Sequence, residues 1–188
     1  NWVLDVDIRQ FFDTVEHEWL IRMIQHRVQD PRLVRLIVKW IKVGVVDETG
    51  TRCPARRGVP QGAVISPLLA NIYLHYVFDL WSHQWRSKNA NGTVVVVRYA
   101  DDVVLGFQYE AEAKTYLGLL KQRLQAFGLE VHPEKTRLIR FGRFARQAGR
   151  AAGRPDTFDF LGFTHYCTTG KRGHFKLGRK TSGKRLIK

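Results

Sequence analysis

The chain has 188 residues, 44% of them hydrophobic, and a formal net charge of +14. This length and composition are typical of one globular domain with a proper core. The absence of an apolar run of 18 residues and of a signal peptide excludes a membrane prediction, and two cysteines, Cys53 and Cys167, are too few for a disulfide framework. We therefore expect a protein of the reducing cytoplasm. Because the chain lacks a starting Met and begins inside a predicted strand, we also expect it to be a fragment.

The positive charge is unevenly distributed. Residues 140–188 contain 13 basic and 2 acidic residues, a net charge of +11, whereas residues 1–139 carry only +3. Such an asymmetry indicates a polyanionic partner, most simply a nucleic acid. The alternative is a solvated basic tail without a partner.

The first part of the chain reads as a strand followed by two helices and a hairpin. Alternating residues place Asp5 and Asp7 on one face of the first strand. Apolar spacing predicts helices over residues 16–28 and 31–41, the second with Asp30 as cap and Pro31 at its first position. Residues 45–58 read as a hairpin that turns at residues 48–50.

The second part begins with a glycine-containing loop, residues 58–62. Ser66-Pro67 predicts the start of a long helix that runs to about Trp85. Two valine-rich runs then form a predicted hairpin over residues 94–107, followed by a helix over 110–127 and short strands over 129–132 and 136–141. Residues 142–155 form a predicted basic loop, and residues 158–166 and 174–177 a last hairpin.

Two adjacent aspartates, Asp101 and Asp102, occupy the tip of the valine-rich hairpin. Their charges repel, and a bound hard cation such as Mg²⁺ would resolve this repulsion with carboxylate ligands. If the first strand pairs beside the hairpin, Asp5 or Asp7 meets Asp101, and the cluster could hold two ions about 3.5–4 Å apart, as in phosphoryl transfer. An exposed Asp-Asp turn is the simpler alternative.

Four motifs in order resemble the palm of a reverse transcriptase, in particular the group II intron type. They are Val6-Asp7-Ile8-Arg9-Gln10-Phe11-Phe12-Asp13, Arg57-Gly58-Val59-Pro60-Gln61-Gly62 with its helix, Tyr99-Ala100-Asp101-Asp102, and Phe158-Asp159-Phe160-Leu161-Gly162-Phe163. The resemblance implies an α/β (α+β) fold, a right-hand polymerase palm with an antiparallel sheet and helices packed on one face. It implies palm residues over 1–157, and a primer-grip hairpin and basic tail over 158–188. It also implies missing fingers, so we expect the isolated fragment to be inactive.

The resemblance further implies RNA-directed DNA synthesis with two Mg²⁺ ions, or Mn²⁺. The implied partners are an RNA template, a DNA primer, deoxynucleotides and an intron RNA. The family's aromatic residue lies five positions after the catalytic aspartate, which selects Asp7 and leaves Asp5 a structural role. The implied metal ligands are Asp7, the Ile8 carbonyl, Asp101 and Asp102.

The remaining site residues are also implied by the resemblance. Lys135 matches a position proposed to protonate pyrophosphate, although a surface lysine at a turn is an equal alternative. The other roles are nucleotide binding by Phe12, Gln61, Gly62 and Tyr99, primer grip by Phe160, Leu161, Gly162 and Phe163, and backbone binding by Arg143, Arg146, Arg150 and Arg154.

Phe12 is the expected gate that selects deoxynucleotides, since its ring would fill the space that a 2′-OH needs. Consecutive residues of an extended segment point to opposite sides, so at most one of Phe11 and Phe12 should pack deeply; the alternative is that both are core residues.

Three alternatives stay open at this point. A retron-type or CRISPR-associated reverse transcriptase would share most of these motifs. An RNA-binding maturase without polymerase activity would predict a broken acidic cluster, whereas this chain keeps Asp7, Asp101 and Asp102. An RNA-dependent RNA polymerase usually has glycine where this chain has Ala100.

Overall fold

The computed structural model describes residues 1–42, 45–46, 52–53, 57–60, 62–145, 156–171 and 173–183. The strands are β1 Trp2–Val6, β2 Val45–Val46, β3 Arg52–Cys53, β4 Val94–Tyr99, β5 Asp102–Phe107, β6 Arg137–Arg140, β7 Phe158–Phe160, β8 Phe163–Thr169 and β9 Phe175–Thr181. The α-helices are α1 Phe11–Thr14, α2 His17–Gln25, α3 Pro31–Lys42, α4 Ser66–Leu74, α5 Leu80–Asn89 and α6 Glu110–Gln125, with a π-helical stretch, His75–Asp79, between α4 and α5. No helix among the described residues combines the length and the apolar composition that crossing a membrane requires.

The chain forms two compact units. Unit 1 contains residues 1–7, 88–119 and 132–188, and unit 2 contains residues 8–87 and 120–131. The sequence-based division into residues 1–157 and 158–188 stays a prediction.

Unit 1 contains two antiparallel sheets. The first has the strand order β4-β5-β1-β6, and the second has the order β7-β8-β9. Leu4 pairs with Leu105, and both are fully buried on the face where Phe107 packs against Tyr116 of α6, with ring centroids 5.4 Å apart. The opposite face bears Val3, whose cluster with Val104, Ile139, Phe141 and Phe158 joins the two sheets.

Unit 2 contains the helices α1 to α4 and the short β2–β3 ladder. Arg32 N–H donates to Asp30 Oδ1 at 2.8 Å, so the predicted cap before Pro31 is confirmed. The predicted hairpin over residues 45–58 is confirmed by the pairing of β2 with β3, and its turn lies outside the described residues.

Two helix starts differ from the prediction. Ser66 does not cap α4, since its hydroxyl donates to the Pro60 carbonyl at 2.6 Å and Ile65 occupies the cap position. The helix predicted from residue 16 begins one residue later, with Glu16 at the cap position before α2.

The predicted long helix is present, but it is interrupted by the π-helical stretch. Arg123 reaches this stretch, donating from Nε to the Val77 carbonyl and from Nη2 to the Tyr76 carbonyl, each at 3.1 Å. These bonds tie α6 to the π-helical stretch. The interruption was not predictable, because its partner lies 46 residues away along the chain.

Two strand predictions are corrected. Residues 129–132 form no strand, only an isolated bridge between Val131 and Ile8. Residues 158–166 are not one strand, because Leu161 and Gly162 form a two-residue turn between β7 and β8, and β9 completes a three-stranded sheet.

Candidate functional site

The β4–β5 turn places the two adjacent aspartates at the end of a buried hairpin, as the sequence predicts. Tyr99 pairs with Asp102, which leaves Ala100 and Asp101 as the two turn residues. Ala100 has a φ of 54°, a left-handed conformation that costs a residue with a Cβ about 1 kcal/mol. Its carbonyl accepts a hydrogen bond from Arg98 Nη1 at 2.8 Å, which holds the turn in this conformation.

Strand β1 pairs beside this hairpin, as the sequence predicts, but its register brings Asp7 opposite Asp102 and not opposite the expected Asp101. Asp5 pairs with Val104 and Val6 with Val103, and continuing the register brings Asp7 opposite Asp102. Residues directly opposite each other share a face, with Cβ atoms about 4.5–5.5 Å apart. Asp5, Asp7 and Asp102 therefore lie on one face, and Asp101 precedes them in the turn.

The charges of these aspartates act on one another. Although much of Asp102 is exposed, partial burial of its carboxyl and the charges of Asp101 and Asp7 raise its pKa above the ordinary value. Burial also raises the pKa of Asp5, with smaller contributions from Asp102 and Asp7, while a hydrogen bond and the charge of Arg137 oppose the shift. We call Asp5, Asp7, Asp101 and Asp102 the acidic cluster.

Two cations contact the acidic cluster. Arg137 Nη2 lies 3.3 Å from Asp5 Oδ2, and Lys135 Nζ lies 3.8 Å from Asp7 Oδ2. The shorter contact is also a hydrogen bond, which ties the Asp5 carboxylate to its neighbouring strand. The longer contact joins two partly exposed side chains and contributes little stability. The Asp7 carboxylate is therefore easier to engage with a ligand than the Asp5 carboxylate.

The backbone of Asp7 is held by the turn that carries Lys135. His132 N–H donates to the Asp7 carbonyl at 2.8 Å, and Asp7 N–H donates to Thr136 Oγ1 at 3.3 Å. These bonds continue the β1–β6 pairing beyond the end of the ladder and keep Lys135 beside Asp7. The structure thus brings the predicted proton donor to the acidic cluster, and its role stays a prediction.

The acidic cluster fits a hard divalent cation by its donor chemistry, since it offers carboxylate oxygens whose mutual repulsion a cation would relieve. Among the described residues, however, no three His, Cys, Asp or Glu side chains are already arranged so that they could hold a metal ion. Binding would therefore require the carboxylates to turn toward a common centre.

The Phe12 segment, in unit 2, is a helical turn rather than the extended chain that the sequence suggested. Gln10 has a φ of 44° and starts α1, which places Phe11 and Phe12 on different sides. Phe11 is only 2% exposed, whereas Phe12 is half-buried, with the two ring centroids 5.4 Å apart. The prediction that only one of the two packs deeply is confirmed.

The glycine-containing loop lies beside this segment in the same unit. Val59 N–H donates to the Phe12 carbonyl at 2.7 Å. Gly62 is exposed and has a φ of 86°, and a Cβ there would meet no atom within 4 Å. Glycine is therefore favoured at this position by the positive φ and not by a lack of space for a side chain. Gln61 lies outside the described residues.

The predicted primer-grip residues form the β7–β8 turn of unit 1. Phe160 pairs with Phe163, while Leu161 and Gly162 have φ values of 50° and 80°. Leu161 and Phe163 are exposed at the tip. The Asp159 carboxylate accepts from Thr164 and from Ser182, and Ser182 N–H donates to the Gly162 carbonyl at 3.0 Å, so β9 stabilises this turn.

The structure describes only some of the other residues that are predicted to contact nucleotide or nucleic acid. Tyr99 is 65% exposed beside the aspartate turn, and Arg143 is exposed. Arg146, Arg150 and Arg154 lie outside the described residues.

Sequence reasoning missed three residues that contact predicted site segments: Arg137 and Thr136 in unit 1, and His17 in unit 2. Arg137 could have been found, because a β6 strand antiparallel to β1 puts a basic residue opposite Asp5. His17 gave no such signal, since its partner is a backbone carbonyl 41 residues further along.

Comparison with known proteins identifies the family. Residues 1–165 match the family model described as reverse transcriptase (RNA-dependent DNA polymerase). Protein YkfC of Escherichia coli is 33% identical over 169 residues, which cover 73% of this chain and 43% of that protein. The group II intron-encoded protein LtrA of Lactococcus lactis is 40% identical over 75 residues, covering 40% of this chain and 12% of LtrA. The chain thus spans less than half the length of either relative.

Solved structures agree at the level of the fold. Apo telomerase from Candida tropicalis, truncated from its C-terminal domain, has a TM-score of 0.69 at 16% identity, covering 96% of this chain and 35% of that chain. Telomerase from Candida albicans, in complex with a fragment of telomeric RNA, has a TM-score of 0.66 at 16% identity. The match covers 88% of this chain and 29% of the telomerase chain. The predicted palm-type α/β fold is confirmed.

Proposed function

This chain belongs to the reverse transcriptase (RNA-dependent DNA polymerase) family, and on that premise we propose that the protein containing it is an RNA-directed DNA polymerase of the group II intron type. The relatives support this choice of lineage, since they include LtrA and the putative COX1/OXI3 intron 1 protein of Saccharomyces cerevisiae. Such a protein would copy an RNA template from a DNA primer with deoxynucleotides, bind its intron RNA and assist splicing. Its proposed location is the cytoplasm.

The acidic cluster is the observation that carries the proposal. During nucleotidyl transfer, negative charge develops on the attacking hydroxyl and on the leaving pyrophosphate, and this charge has to be stabilised. Asp7 and Asp102 lie beside each other and Asp101 precedes them in the turn, and partial burial together with the charges of Asp101 and Asp7 raises the pKa of Asp102. These carboxylates would provide the means to hold positive charge there. A maturase that only bound RNA would have no need of this repulsive arrangement.

The proposed metal ligands are Asp7, Asp101, Asp102 and the Ile8 carbonyl. Two bound Mg²⁺ ions, or Mn²⁺, would supply Lewis-acid stabilisation of the transferring phosphoryl group. Asp5 would stay with Arg137 and maintain the spacing of β1 and β6. Lys135, beside Asp7, would give a proton to the departing pyrophosphate.

The other contacts follow the order of the motifs. Phe12, Gln61, Gly62 and Tyr99 would bind the incoming nucleotide, and the Phe12 ring would exclude ribonucleotides by filling the space that a 2′-OH needs. The turn from Phe160 to Phe163 would hold the primer end. Arg143, Arg146, Arg150 and Arg154 would bind the nucleic-acid backbone. Palm residues would occupy 1–157, and residues 158–188 would form the primer grip and a basic tail.

Primer extension by the full-length protein tests the proposal through Asp101. Asp101→Asn removes a ligand charge without changing side-chain shape, so extension in Mg²⁺ should fall by about 10³-fold or more. The matched control is Glu110→Gln, which removes a carboxylate that pairs with Lys114 on α6 and should keep wild-type activity. Wild-type extension by the Asp101 variant would contradict the metal assignment.

A further inference from the structure

The start of the glycine-containing loop is bound to the Phe12 segment by four contacts within unit 2. We call residues 57–60 the loop base and residues 12–17 the gate segment. Arg57 Nε lies 3.3 Å from Glu16 Oε1, Gly58 N–H donates to the Val15 carbonyl at 2.8 Å, and Val59 N–H donates to the Phe12 carbonyl at 2.7 Å. The fourth contact, at 2.6 Å, joins His17 Nε2 and the Gly58 carbonyl oxygen. The two segments are therefore fastened to each other in several places.

Two of these four contacts involve side chains, and of these two only the His17 contact is buried. His17 is 8% exposed. Because a carbonyl oxygen can only accept, the His17 ring carries a proton on Nε2 and donates it. Removing this donor would leave the Gly58 carbonyl buried without that partner, whereas the exposed Arg57–Glu16 pair contributes little.

The loop base has little freedom to settle elsewhere. Gly58 has a φ of 83°, and a Cβ there would lie 2.8 Å from the Phe12 carbonyl oxygen, so the two backbones are in direct contact. At its other end, the Pro60 carbonyl accepts from Ser66 Oγ at 2.6 Å. The position of the loop base relative to Phe12 therefore depends on the bonds that hold residues 58 and 59.

We propose that His17 is a positioning residue that holds the loop base against the gate segment and thereby sets how tightly and how selectively the site takes a deoxynucleotide. The inference rests on the proposed function, in which Phe12 excludes ribonucleotides while Gln61 and Gly62 bind the nucleotide. His17 itself is buried beneath the loop and need not touch the nucleotide. Loss of its hydrogen bond would let the two halves of this nucleotide site separate.

The test compares three variants of the full-length protein. His17→Leu removes the donor, His17→Gln keeps an N–H donor at similar reach, and Tyr73→Phe is the matched control. Tyr73 also lies in unit 2, is fully buried and donates to a backbone carbonyl, that of Phe127, at 2.6 Å. The Tyr73 variant thus removes a comparable hydrogen bond. Because the Tyr73 hydroxyl also interacts with Glu16 of the gate segment, this variant controls for a disturbance of that segment that leaves the bond between His17 and Gly58 in place.

The expected result separates positioning from stability. His17→Leu should raise the KM for deoxynucleotides and lower the deoxy-to-ribo incorporation ratio, each by about tenfold, because an orphaned buried carbonyl displaces the loop base. His17→Gln should recover most of both values. Tyr73→Phe should lower the melting temperature by a similar amount and leave both kinetic values unchanged. Amide hydrogen exchange at Gly58 and Val59 should accelerate in His17→Leu alone.

The outcomes distinguish the inference from the function on which it rests. The role of His17 would be overturned, and the proposed function would stand, if the wild type is active and His17→Leu matches Tyr73→Phe in its kinetic values and in amide hydrogen exchange. An inactive wild type would overturn the proposed function and the nucleotide-selection role with it. If His17→Leu fails to fold, Gly58→Ala replaces it, since the added Cβ forces the same segments apart; an unchanged KM in that variant would overturn the inference.

Discussion

Asp102 illustrates at the residue scale how a residue proposed to bind metal can oppose stability. Its pKa is raised from the ordinary value of 3.8, so between 3.8 and the raised value the folded state binds more protons than the unfolded state. Stability therefore falls as the pH rises through that window, and the penalty is fully present above it. The like charges that raise this pKa are the same charges that would attract a divalent cation.

The first residue-scale prediction concerns pH and metal together. Asp102→Asn should melt about 1–2 °C higher than the wild type at pH 7, because it removes a charge that partial burial and the repulsion from Asp101 and Asp7 disfavour, and the difference should vanish below pH 3.8. Added Mg²⁺ should stabilise the wild type at pH 7 more than it stabilises the variant. Thermal melts with and without Mg²⁺ measure both effects, and a variant that is less stable than the wild type at pH 7 would contradict the electrostatic account.

The second residue-scale prediction concerns the two adjacent phenylalanines. Phe12→Ala should admit ribonucleotides while deoxynucleotide incorporation continues, because it opens the space that a 2′-OH would need. Phe11→Ala should mainly destabilise the fold, by about 3–5 kcal/mol, since Phe11 is 2% exposed. Primer extension with each nucleotide type and denaturant unfolding provide the measurements. An unchanged deoxy-to-ribo ratio in Phe12→Ala would refute its role as the gate.

At the scale of elements, the basic segment that follows β6 is where nucleic-acid backbone contacts are expected. Residues 140–188 carry +11 of the net charge of +14. Each neutralised duplex phosphate contributes about −0.9 to the slope of log K against log salt. Replacing Arg143, Arg146, Arg150 and Arg154 with Ala should therefore flatten the slope by about 3–4, measured by fluorescence anisotropy on a labelled primer–template. The same slope in the fourfold variant would show that the segment does not contact the backbone.

The elements that sequence could predict are those with strong local patterns. The valine-rich runs around Asp101 and Asp102 predicted the hairpin, and alternation at Asp5 and Asp7 predicted which side chains share its face. The turn at Leu161 and Gly162 was missed because Leu rarely adopts a positive φ, so the surrounding apolar residues read as one strand. The actual partners of Ser66 and His17 were missed because each side chain bonds to a backbone carbonyl outside its own helix, which no residue pattern marks.

At the scale of the whole molecule, the chain separates its expected tasks between two compact units. Unit 1 contains the acidic cluster, Lys135 and the primer-grip turn, whereas unit 2 contains Phe12 and the glycine-containing loop. Both units are built from segments distant in sequence, so the predicted order of motifs along the chain did not reveal this grouping. The family match over residues 1–165 spans both of them.

The most direct test of the account is the identity of the product that the full-length protein makes. The wild type should be supplied with a DNA primer on an RNA template or on a DNA template, with deoxynucleotides or ribonucleotides, in Mg²⁺. The account predicts efficient incorporation of deoxynucleotides on the RNA template, and loss of this product in Asp101→Asn. Efficient synthesis from ribonucleotides, or no synthesis on RNA under any of these conditions, would contradict it.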